Sequence, residues 1–571
     1  MGRLGILAAG IAVLACCSKS GGKNGQGTNG PGTAGDVPDP TKPTFTVLAL
    51  AEVRGQIGPC GCTTDPLGDI ARTTKLVVDA RAAGPTLVVD AGSLLYGKVP
   101  VPAQLAAQED LKADLLANIY KGPLQADVVG LGPADLGHGL GADLKLPRQA
   151  ANVDATKLAA PPRPPEVLEV GGAKVGVFTV VAEGVLPAGA TKDPVAAGKA
   201  AVAALKKRGA QVVVGMVQAD SKKDAAQLVR EIGGIDLAVA GLGASAPEPD
   251  RVESEPTKVG DGWLVVPANR GQLVARVAVT LRGAGGPLAD AVGPGAAAAK
   301  TATIDKQLKL LDADLARLSA DQGADPAFVA QKKSERAQLA AQRDHLAGQP
   351  FAPPAAGSYF TLEQVRINKK LACDTGVQDR VTEFYRLAGE ANVKAAQAHP
   401  VQPPRPGESG YAGTDACSDC HQDQVDFWNK TVHAKAWKTL VDRGQQFDFD
   451  CIGCHVTGYD RPGGSSMGFN DKLRDVQCEV CHGPSAIHVA KGGLEKPFAT
   501  VRDPAPELCA TQCHTHEHSD TFQHDAYLRD IVGKGHGEER RKQLGDGPTG
   551  AALRKAGLEK AGTSLGAGCI R

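Results

Sequence analysis

Four cysteine–histidine motifs crowd the C-terminal third of this 571-residue chain. They are Cys417-Ser-Asp-Cys420-His421, Cys451-Ile-Gly-Cys454-His455, Cys478-Glu-Val-Cys481-His482 and Cys509-Ala-Thr-Gln-Cys513-His514. Two thiols at this spacing form thioethers with the two vinyl groups of one haem, and the histidine that follows points at the iron as its proximal ligand. The motifs therefore predict four covalently bound haem c groups.

Zinc and disulfides are the other uses of paired cysteines. Zinc ribbons also contain Cys-x-x-Cys pairs, but they do not need a histidine after each pair. A single Cys-x-x-Cys-His could arise by chance, whereas four such motifs in fewer than 100 residues fit neither chance nor zinc. The fourth motif, Cys509–His514, has one extra residue between its cysteines. Such a loop can still bring both thiols to one porphyrin.

Histidines outside the motif positions are candidates for the far side of each iron. They are His399, His433, His488, His516, His518, His524 and His536. Iron held by two histidines is closed to substrates and suits electron transfer, whereas iron with an open position can bind a small molecule. For His399 and His524 a surface polar role is the simpler interpretation.

The sequence around these motifs resembles the cytochrome c-554 family. The likeness covers about residues 411–537 and rests on the segments YAGTDACSDCHQDQVDFWNKTVHAKAW, CIGCHVTGY, VQCEVCHGPSAIH and CHTHEHSDTFQHDAYLRDIVGKGHG. It implies distal iron ligands at His433, His488 and His536. It also implies one haem with an open or weakly occupied sixth position, which we assign to the motif Cys451–His455. The long fourth motif and the pair His516 and His518, which could compete as ligands, depart from the family pattern.

The first residues indicate export. A short basic start and an apolar run of about a dozen residues end in Val13-Leu14-Ala15-Cys16, which resembles a bacterial lipobox. We therefore predict a lipoprotein signal peptide over residues 1–15, acylation of Cys16, and a flexible Gly/Ser/Asn-rich tether over residues 16–43. The alternative is an ordinary signal peptide cut at small residues. Because Asp does not follow Cys16, a lipid anchor in the outer membrane, facing the periplasm or the cell surface, is favoured.

Composition and periodicity divide the rest of the chain. Val-rich apolar runs alternate with helical stretches over residues 44–285, which predicts a multidomain chain that begins with an α/β domain. A helical hairpin (300–349), a spacer or a possible dimer contact, then precedes a mixed linker region (355–400), a mainly α multihaem cytochrome c domain (409–540) and a polar tail (541–571). The 63 basic and 63 acidic residues balance, so nothing suggests nucleic acid as a partner.

The α/β region resembles the metallophosphoesterase domain of exported 5′-nucleotidases. The likeness lies in the order and spacing of its segments, from FTVLALAEVRGQIG to WLVVPANRGQLVARVAVTL. A two-metal site needs Asp, His and Asn ligands. The positions where that family carries ligands hold other residues here: Ala51-Glu52-Val53-Arg54, Ser93 (with Asp90 retained), Gly132-Pro133-Ala134-Asp135, Gln218-Ala219-Asp220 and Gly241-Leu242-Gly243. The resemblance therefore implies an α/β sandwich that has lost its metals.

A Cys60-Gly61-Cys62 pair follows the first predicted strand, where the ancestral active site would open. Such a pair can be a redox dithiol, a soft-metal site or a disulfide. It resembles the Cys-Gly-Cys region of exported 5′-nucleotidase-like proteins, some of which carry selenocysteine nearby, and this implies a possible catalytic redox pair. Cys373 and Cys569 are far apart in sequence, and the residues leave open whether they pair with each other.

Three functions are compatible with these features. The favoured one is a lipid-anchored multihaem cytochrome that exchanges electrons with a redox protein partner. The second is an oxidoreductase that acts on a small nitrogen or sulfur compound at an open haem iron. The third is a 5′-nucleotidase-type phosphoesterase fused to a cytochrome.

Overall fold

The computed structural model describes residues 43–59, 63–283, 285–320, 325–467, 471–495, 502, 504–515 and 517–569. The predicted lipid-bearing Cys16, the Cys60 and Cys62 pair and the spare histidine His516 therefore lie outside the described residues. Within the described ranges, no helix is both long enough and apolar enough to cross a membrane.

Two six-stranded mixed sheets form the N-terminal domain. The strands are β1 (Phe45–Leu50), β2 (Thr86–Asp90), β3 (Val128–Val129), β4 (Glu166–Val170), β5 (Ala173–Val181), β6 (Val212–Gln218), β7 (Leu237–Gly241), β8 (Thr257–Val259), β9 (Gly262–Val265), β10 (Leu273–Thr280), β11 (Ala289–Asp290) and β12 (Tyr359–Arg366). The first sheet has the order β11-β12-β10-β1-β2-β3, and the second β4-β5-β6-β7-β9-β8. In the second sheet β5, β6, β7 and β9 are parallel neighbours, flanked by antiparallel strands at both edges.

The helices are α1 (Ile70–Ala83), α2 (Ala106–Lys121), α3 (Pro194–Lys207), α4 (Lys222–Ile232), α5 (Pro294–Ala320), α6 (Pro326–Gly348), α7 (Thr375–Ala398), α8 (Thr414–Trp428), α9 (Ala436–Val441), α10 (Phe449–Ile452), α11 (Cys478–His482), α12 (Ala486–Ala490), α13 (Pro506–Gln512), α14 (His524–Ile531), α15 (Glu538–Gln543) and α16 (Gly550–Ala561). Many begin at a side-chain cap. Asp69, for example, accepts hydrogen bonds from the backbone N–H groups of Ala71 and Arg72 at the start of α1.

The two sheets pack face to face. Val47 and Val277 of the first sheet and Val177 and Met216 of the second are fully buried in one cluster. Helices α1, α2 and α7 cover the outer face of the first sheet, and α3 and α4 cover that of the second. Because β6 is buried on both faces, its sequence VVVGMVQ is almost continuously apolar. The predicted α/β sandwich is therefore confirmed.

Residues 355–400 form a strand and a long helix, whereas the sequence predicts a mixed linker region there. Tyr359–Arg366 forms β12, which pairs with β10 over its whole length, and Thr375–Ala398 forms α7. Phe360 and Leu362 of β12 are buried, as are Val381 and Phe384 of α7. The region completes the first sheet because these apolar side chains have a core to enter. The α/β domain thus continues beyond residue 285.

The helical hairpin is inserted between β11 and β12. Ile304 and Leu311 of α5 and Leu346 of α6 are buried, while Leu310 points outward and is 71% exposed. Arg336 and Arg343 of α6 donate to Asp312 and Asp305 of α5. The apolar stripe therefore faces the interior of the hairpin. Contact with a second copy stays a prediction.

The region after residue 409 is built from short helices with little apolar core of its own. Its cluster of buried apolar side chains has Ile452, Val456 and Met467 at its centre. A region of this size normally needs a larger core, so a bound group of considerable apolar area fits the architecture.

The predicted polar tail folds back onto the α/β domain. It forms α15 and α16, after which Gly566 N–H donates to Lys369 O at 2.8 Å and Cys373 N–H to Ala567 O at 2.8 Å. Cys373 and Cys569 form a disulfide across 196 residues of sequence. Of the two alternatives left open for these cysteines, the structure has them paired.

Candidate haem centre

The motif cysteines lie on short helices. Cys417 and Cys420 are on α8, Cys478 and Cys481 are on α11, and Cys451 is on α10. Residues three or four positions apart share one face of a helix, so each pair of thiols can reach one side of a flat ring. In the fourth motif Cys509 is on α13 and Cys513 directly follows it. Its one extra residue changes the spacing from three to four and keeps both thiols on one face.

Six of the predicted histidine ligands form three pairs of neighbouring rings, with interplanar angles of 26°, 40° and 85°. The ring centres are 6.4 Å apart for His421 and His488, 6.3 Å for His514 and His433, and 6.1 Å for His482 and His536. Two imidazoles that bind one iron from opposite sides through nitrogens at about 2 Å have ring centres about 6.3 Å apart. Each pair joins a motif histidine to one of the three predicted distal histidines. The spacing therefore fits an iron between the two rings of each pair.

Backbone carbonyls orient several of these rings. The Nδ1 atom of His455 lies 2.6 Å from Ala436 O, that of His536 lies 2.7 Å from Ile531 O, and that of His488 contacts Glu495 O. A carbonyl oxygen only accepts hydrogen bonds, so each Nδ1 carries the proton and donates. The lone pair is then on Nε2, the atom free to bind iron.

His433 and His514 lie in a largely apolar setting. Burial, followed by the neighbouring His514, lowers the pKa of His433 to about 4, and burial also lowers the pKa of His514. Phe522 stacks on the His514 ring with centres 4.9 Å apart. Both imidazoles are therefore neutral at physiological pH, which is the form that binds a metal.

Cysteines of different motifs are neighbours. The side chains of Cys417 and Cys478 contact each other, as do those of Cys454 and Cys513. The first and third attachment sites thus lie side by side, as do the second and fourth. Groups bound at these sites would form two close pairs.

His455 differs from the other motif histidines. Among the histidines that the structure describes, none faces its ring as the three pairs face each other. Thr439 Oγ1 lies 3.2 Å from its Nδ1, the same atom that donates to Ala436 O. The second motif is therefore the one without a histidine on its far side in the described structure.

The positions of a two-metal centre in the α/β domain are filled by other contacts. The Asp135 carboxylate accepts backbone N–H groups of Ser93, Leu94 and Gly132 and pairs with Arg148 at 2.7 Å. All its acceptor capacity is therefore used within the protein. In the described part of the chain no three His, Cys, Asp or Glu side chains lie close enough to hold a metal ion.

The residues around Gly132 and Gly241 are so closely packed that neither glycine has room for a side chain. A Cβ atom on Gly132 would lie 2.2 Å from Ser93 Oγ, and one on Gly241 would lie 2.1 Å from Gln218 Nε2 and 2.8 Å from Glu52 Oε1. Gln218 also donates to Ala91 O at 3.1 Å. Polar side chains thus occupy the positions where the sequence resemblance implies metal ligands.

Burial raises the pKa of Glu52 to about 7. A carboxyl whose folded pKa exceeds its unfolded value of 4.5 keeps a proton in the folded chain, so stability falls as pH rises between 4.5 and 7. We expect Glu52→Gln to remove this fall and to gain on the order of 2 kcal/mol over the wild type between pH 4.5 and pH 8. Urea unfolding at both pH values measures the gain, with the exposed Glu231→Gln as the control. A stability difference that does not change with pH would contradict this account of Glu52.

The segment that follows the fourth haem motif contacts the α/β domain at Thr64 and Arg270. Thr64 N–H donates to Asp520 Oδ1 at 3.1 Å, and Thr64 Oγ1 donates to Asp520 Oδ2 at 2.5 Å. Arg270 pairs with Glu517 close by. Thr64 is two positions after Cys62, and Asp520 is six positions after the motif histidine His514.

Comparison with known proteins assigns part of this region. The family described as "Cytochrome c554 and c-prime" matches residues 416–483, which hold the first three motifs. Cytochrome c-554 of Nitrosomonas europaea is 34% identical over 93 residues, which are 14% of this chain and 40% of the relative. The chain thus spans less than half of that relative's length. The C-terminal region contains a cytochrome c554-like domain, and this domain binds c-type haem covalently.

Parts of the chain also have structural neighbours of low similarity. The 5′-nucleotidase precursor from Thermus thermophilus gives a TM-score of 0.39 at 15% identity, over 70% of this chain and 68% of the neighbour. The NAD nucleotidase of Haemophilus influenzae gives a TM-score of 0.36 at 16% identity, over 42% and 48%. Similarity this low assigns no activity to the α/β domain.

Proposed function

We propose that this chain is an exported, lipid-anchored c-type cytochrome that binds four haem c groups and transfers electrons. The observation that carries the proposal is the set of three histidine pairs with ring centres 6.1–6.4 Å apart, each pair containing one motif histidine. Iron with a histidine on each side stays six-coordinate in both oxidation states and changes little on electron transfer. The remaining motif histidine, His455 of the second motif, would hold an iron with an open position.

The arrangement of the attachment sites supports rapid electron exchange. The contacts of Cys417 with Cys478 and of Cys454 with Cys513 bring the first site to the third and the second to the fourth. When bound, the haems supply the one-electron chemistry. The chain supplies the neutral histidines, the carbonyls that orient them and a scaffold that keeps the haems close.

The Cys60 and Cys62 pair is proposed as a dithiol that exchanges electrons with the haems. The support is the contact of Thr64, which follows Cys62 by two residues in the sequence, with Asp520, which follows His514 by six. Oxidation of two thiols to a disulfide releases two electrons and two protons. The electrons would reduce two ferric haems, one each, and the protons would pass to solvent.

A reductive titration tests the dithiol. We expect the wild-type chain to take up two more electrons per molecule than the Cys60→Ser, Cys62→Ser variant, because a disulfide needs two electrons for its reduction. The Cys373→Ser, Cys569→Ser variant is the control. It retains Cys60 and Cys62, so it should still take up the two electrons that reduce a disulfide between them. Equal uptake by the wild type and the Cys60, Cys62 variant would show that the pair does not exchange electrons.

A second candidate function is reaction of a small nitrogen or sulfur compound at an open haem. The observation that favours it is His455, whose ring no described histidine faces. A high-spin signal that shifts when nitric oxide or sulfide is added would support this function. The phosphoesterase alternative is disfavoured by the closed packing around Gln218 and Glu52.

Location and partners complete the proposal. Acylation of Cys16 would tether the domains to a membrane, in the periplasm or at the cell surface, with the outer membrane favoured. There the haems would exchange electrons with a redox protein partner, and the hairpin of α5 and α6 could contact a second copy.

A further inference from the structure

Helix α2 of the α/β domain carries polar side chains that are almost fully buried. Gln108 is 1% exposed, Glu109 3% and Lys112 6%, although a helix on the outside of a sheet normally keeps such residues in water. They face residues 447–450 of the cytochrome region. Together with Asn392 of α7 they form what we call the polar socket (Gln108, Glu109, Lys112 and Asn392).

Direct hydrogen bonds join the socket to this segment. Gln108 Nε2 donates to Asp448 Oδ1 at 2.8 Å, while Gln108 Oε1 accepts from Phe449 N–H at 3.1 Å. Asn392 Nδ2 donates to Gln108 Oε1 at 2.7 Å and to Phe447 O at 2.8 Å. The socket therefore holds both the side chains and the backbone of residues 447–449.

The buried Lys112 forms ion pairs with the buried Glu109 and with Asp450, whose side chain is 46% exposed. Lys112 Nζ lies 2.8 Å from Glu109 Oε1 and 2.9 Å from Asp450 Oδ2. Burial alone would lower the pKa of Lys112, but the carboxylates of Asp450 and Glu109 raise it overall, so the ammonium stays charged. Removing two ions from water costs free energy that their attraction often fails to repay, and a buried pair is therefore weak evidence of a stabilising role alone.

The socket holds the start of the second haem motif. Asp448 is the N-cap of α10 and accepts from Asp450 N–H at 2.9 Å. Asp450 directly precedes Cys451, the first attachment residue of the haem whose iron His455 would bind. Gln108 is thus hydrogen-bonded to the N-cap and the first residue of α10, and Lys112 forms an ion pair with Asp450 in its first turn. Cys451 is on this helix. Lys112 thus places a positive charge beside the residue that precedes Cys451, and this charge would lie near a haem attached there.

We propose that Gln108 and Lys112 are positioning residues that orient the haem attached at Cys451 and Cys454 and raise its reduction potential. A positive charge near a haem favours the reduced form, and it acts strongly where water is excluded. The α/β domain would thereby control the one haem that can bind an external ligand. This inference rests on the proposed haem set.

Redox titration of the full-length holoprotein tests the inference, with the high-spin haem followed separately by electron paramagnetic resonance. We expect Lys112→Met to lower the potential of this haem, because the charge is lost and two carboxylates remain. The equilibrium constant for its reduction should fall about tenfold, which is about 59 mV for one electron. Lys121→Met, at the exposed end of the same helix, is the control and should leave the potential unchanged.

Two further variants keep the test decisive if Lys112→Met does not fold. Lys112→Met combined with Asp450→Asn removes both charges and should shift the potential less than Lys112→Met alone. Lys112→Arg should restore the wild-type potential. An unchanged high-spin potential in Lys112→Met, a shift in the double variant as large as that in Lys112→Met, or an equal shift of all haems would overturn the inference. Absence of a high-spin haem from the wild type would instead overturn the proposed haem set.

Discussion

The His433→Ala variant is expected to contain two high-spin haems where the wild type contains one. The ring centres of His433 and His514 are 6.3 Å apart, which fits His433 as the distal ligand of the iron on His514. Removing it should leave that iron five-coordinate while the covalent attachment at Cys509 and Cys513 stays intact. Electron paramagnetic resonance of the oxidised protein should therefore show a doubled high-spin signal.

The exposed His399→Ala is the matched control, because His399 lies at the end of α7 and faces none of the three ring pairs. Its spectrum should equal that of the wild type. An unchanged low-spin signal in His433→Ala would mean that another group, such as His516 or His518, binds the fourth iron. The pairing of His514 with His433 would then be wrong.

The Cys373→Ser, Cys569→Ser variant should lose about 3–5 kcal/mol of unfolding free energy. The disulfide closes a loop of 196 residues that contains α7, the whole haem region and the tail. A crosslink across so long a loop restricts the unfolded chain strongly. The midpoint of urea unfolding under oxidising conditions measures the loss.

Wild-type protein treated with a thiol reductant is the control, since it should unfold at the same urea concentration as the variant. The tail also covers the junction of the two regions, where Gly557 of α16 packs on Thr64 and Thr521. We therefore expect the junction to open at lower urea in the variant. Equal midpoints for the variant and the oxidised wild type would show that the disulfide does not hold the tail.

The haem attachment sites can be predicted from the sequence because their covalent chemistry requires a fixed spacing of residues. A thioether pair and its histidine must lie within five or six consecutive residues, so the motifs carry the signal without any knowledge of the fold. Distal ligands have no fixed spacing. Only the family resemblance indicates His433, His488 and His536, and in the structure the ring centre of each lies 6.1–6.4 Å from that of a motif histidine.

Contacts between segments that are distant in the sequence cannot be predicted from the sequence pattern alone. Tyr359–Arg366 carries mixed polar and apolar residues, and only its pairing with β10 makes it a strand of the first sheet. Gln108 and Lys112 have the sequence pattern of a solvated helix face, yet they are buried against residues 447–450. The pairing of Cys373 with Cys569 likewise depends on how the tail returns, and connectivity of cysteines cannot be deduced from sequence.

A haem count combined with the spin state of each iron tests the central claim most directly. The pyridine haemochrome assay of the purified full-length chain should give four haems per molecule. Electron paramagnetic resonance should assign three of them as low-spin with two histidines and one as high-spin. A count of two or fewer, or four low-spin irons, would contradict the account.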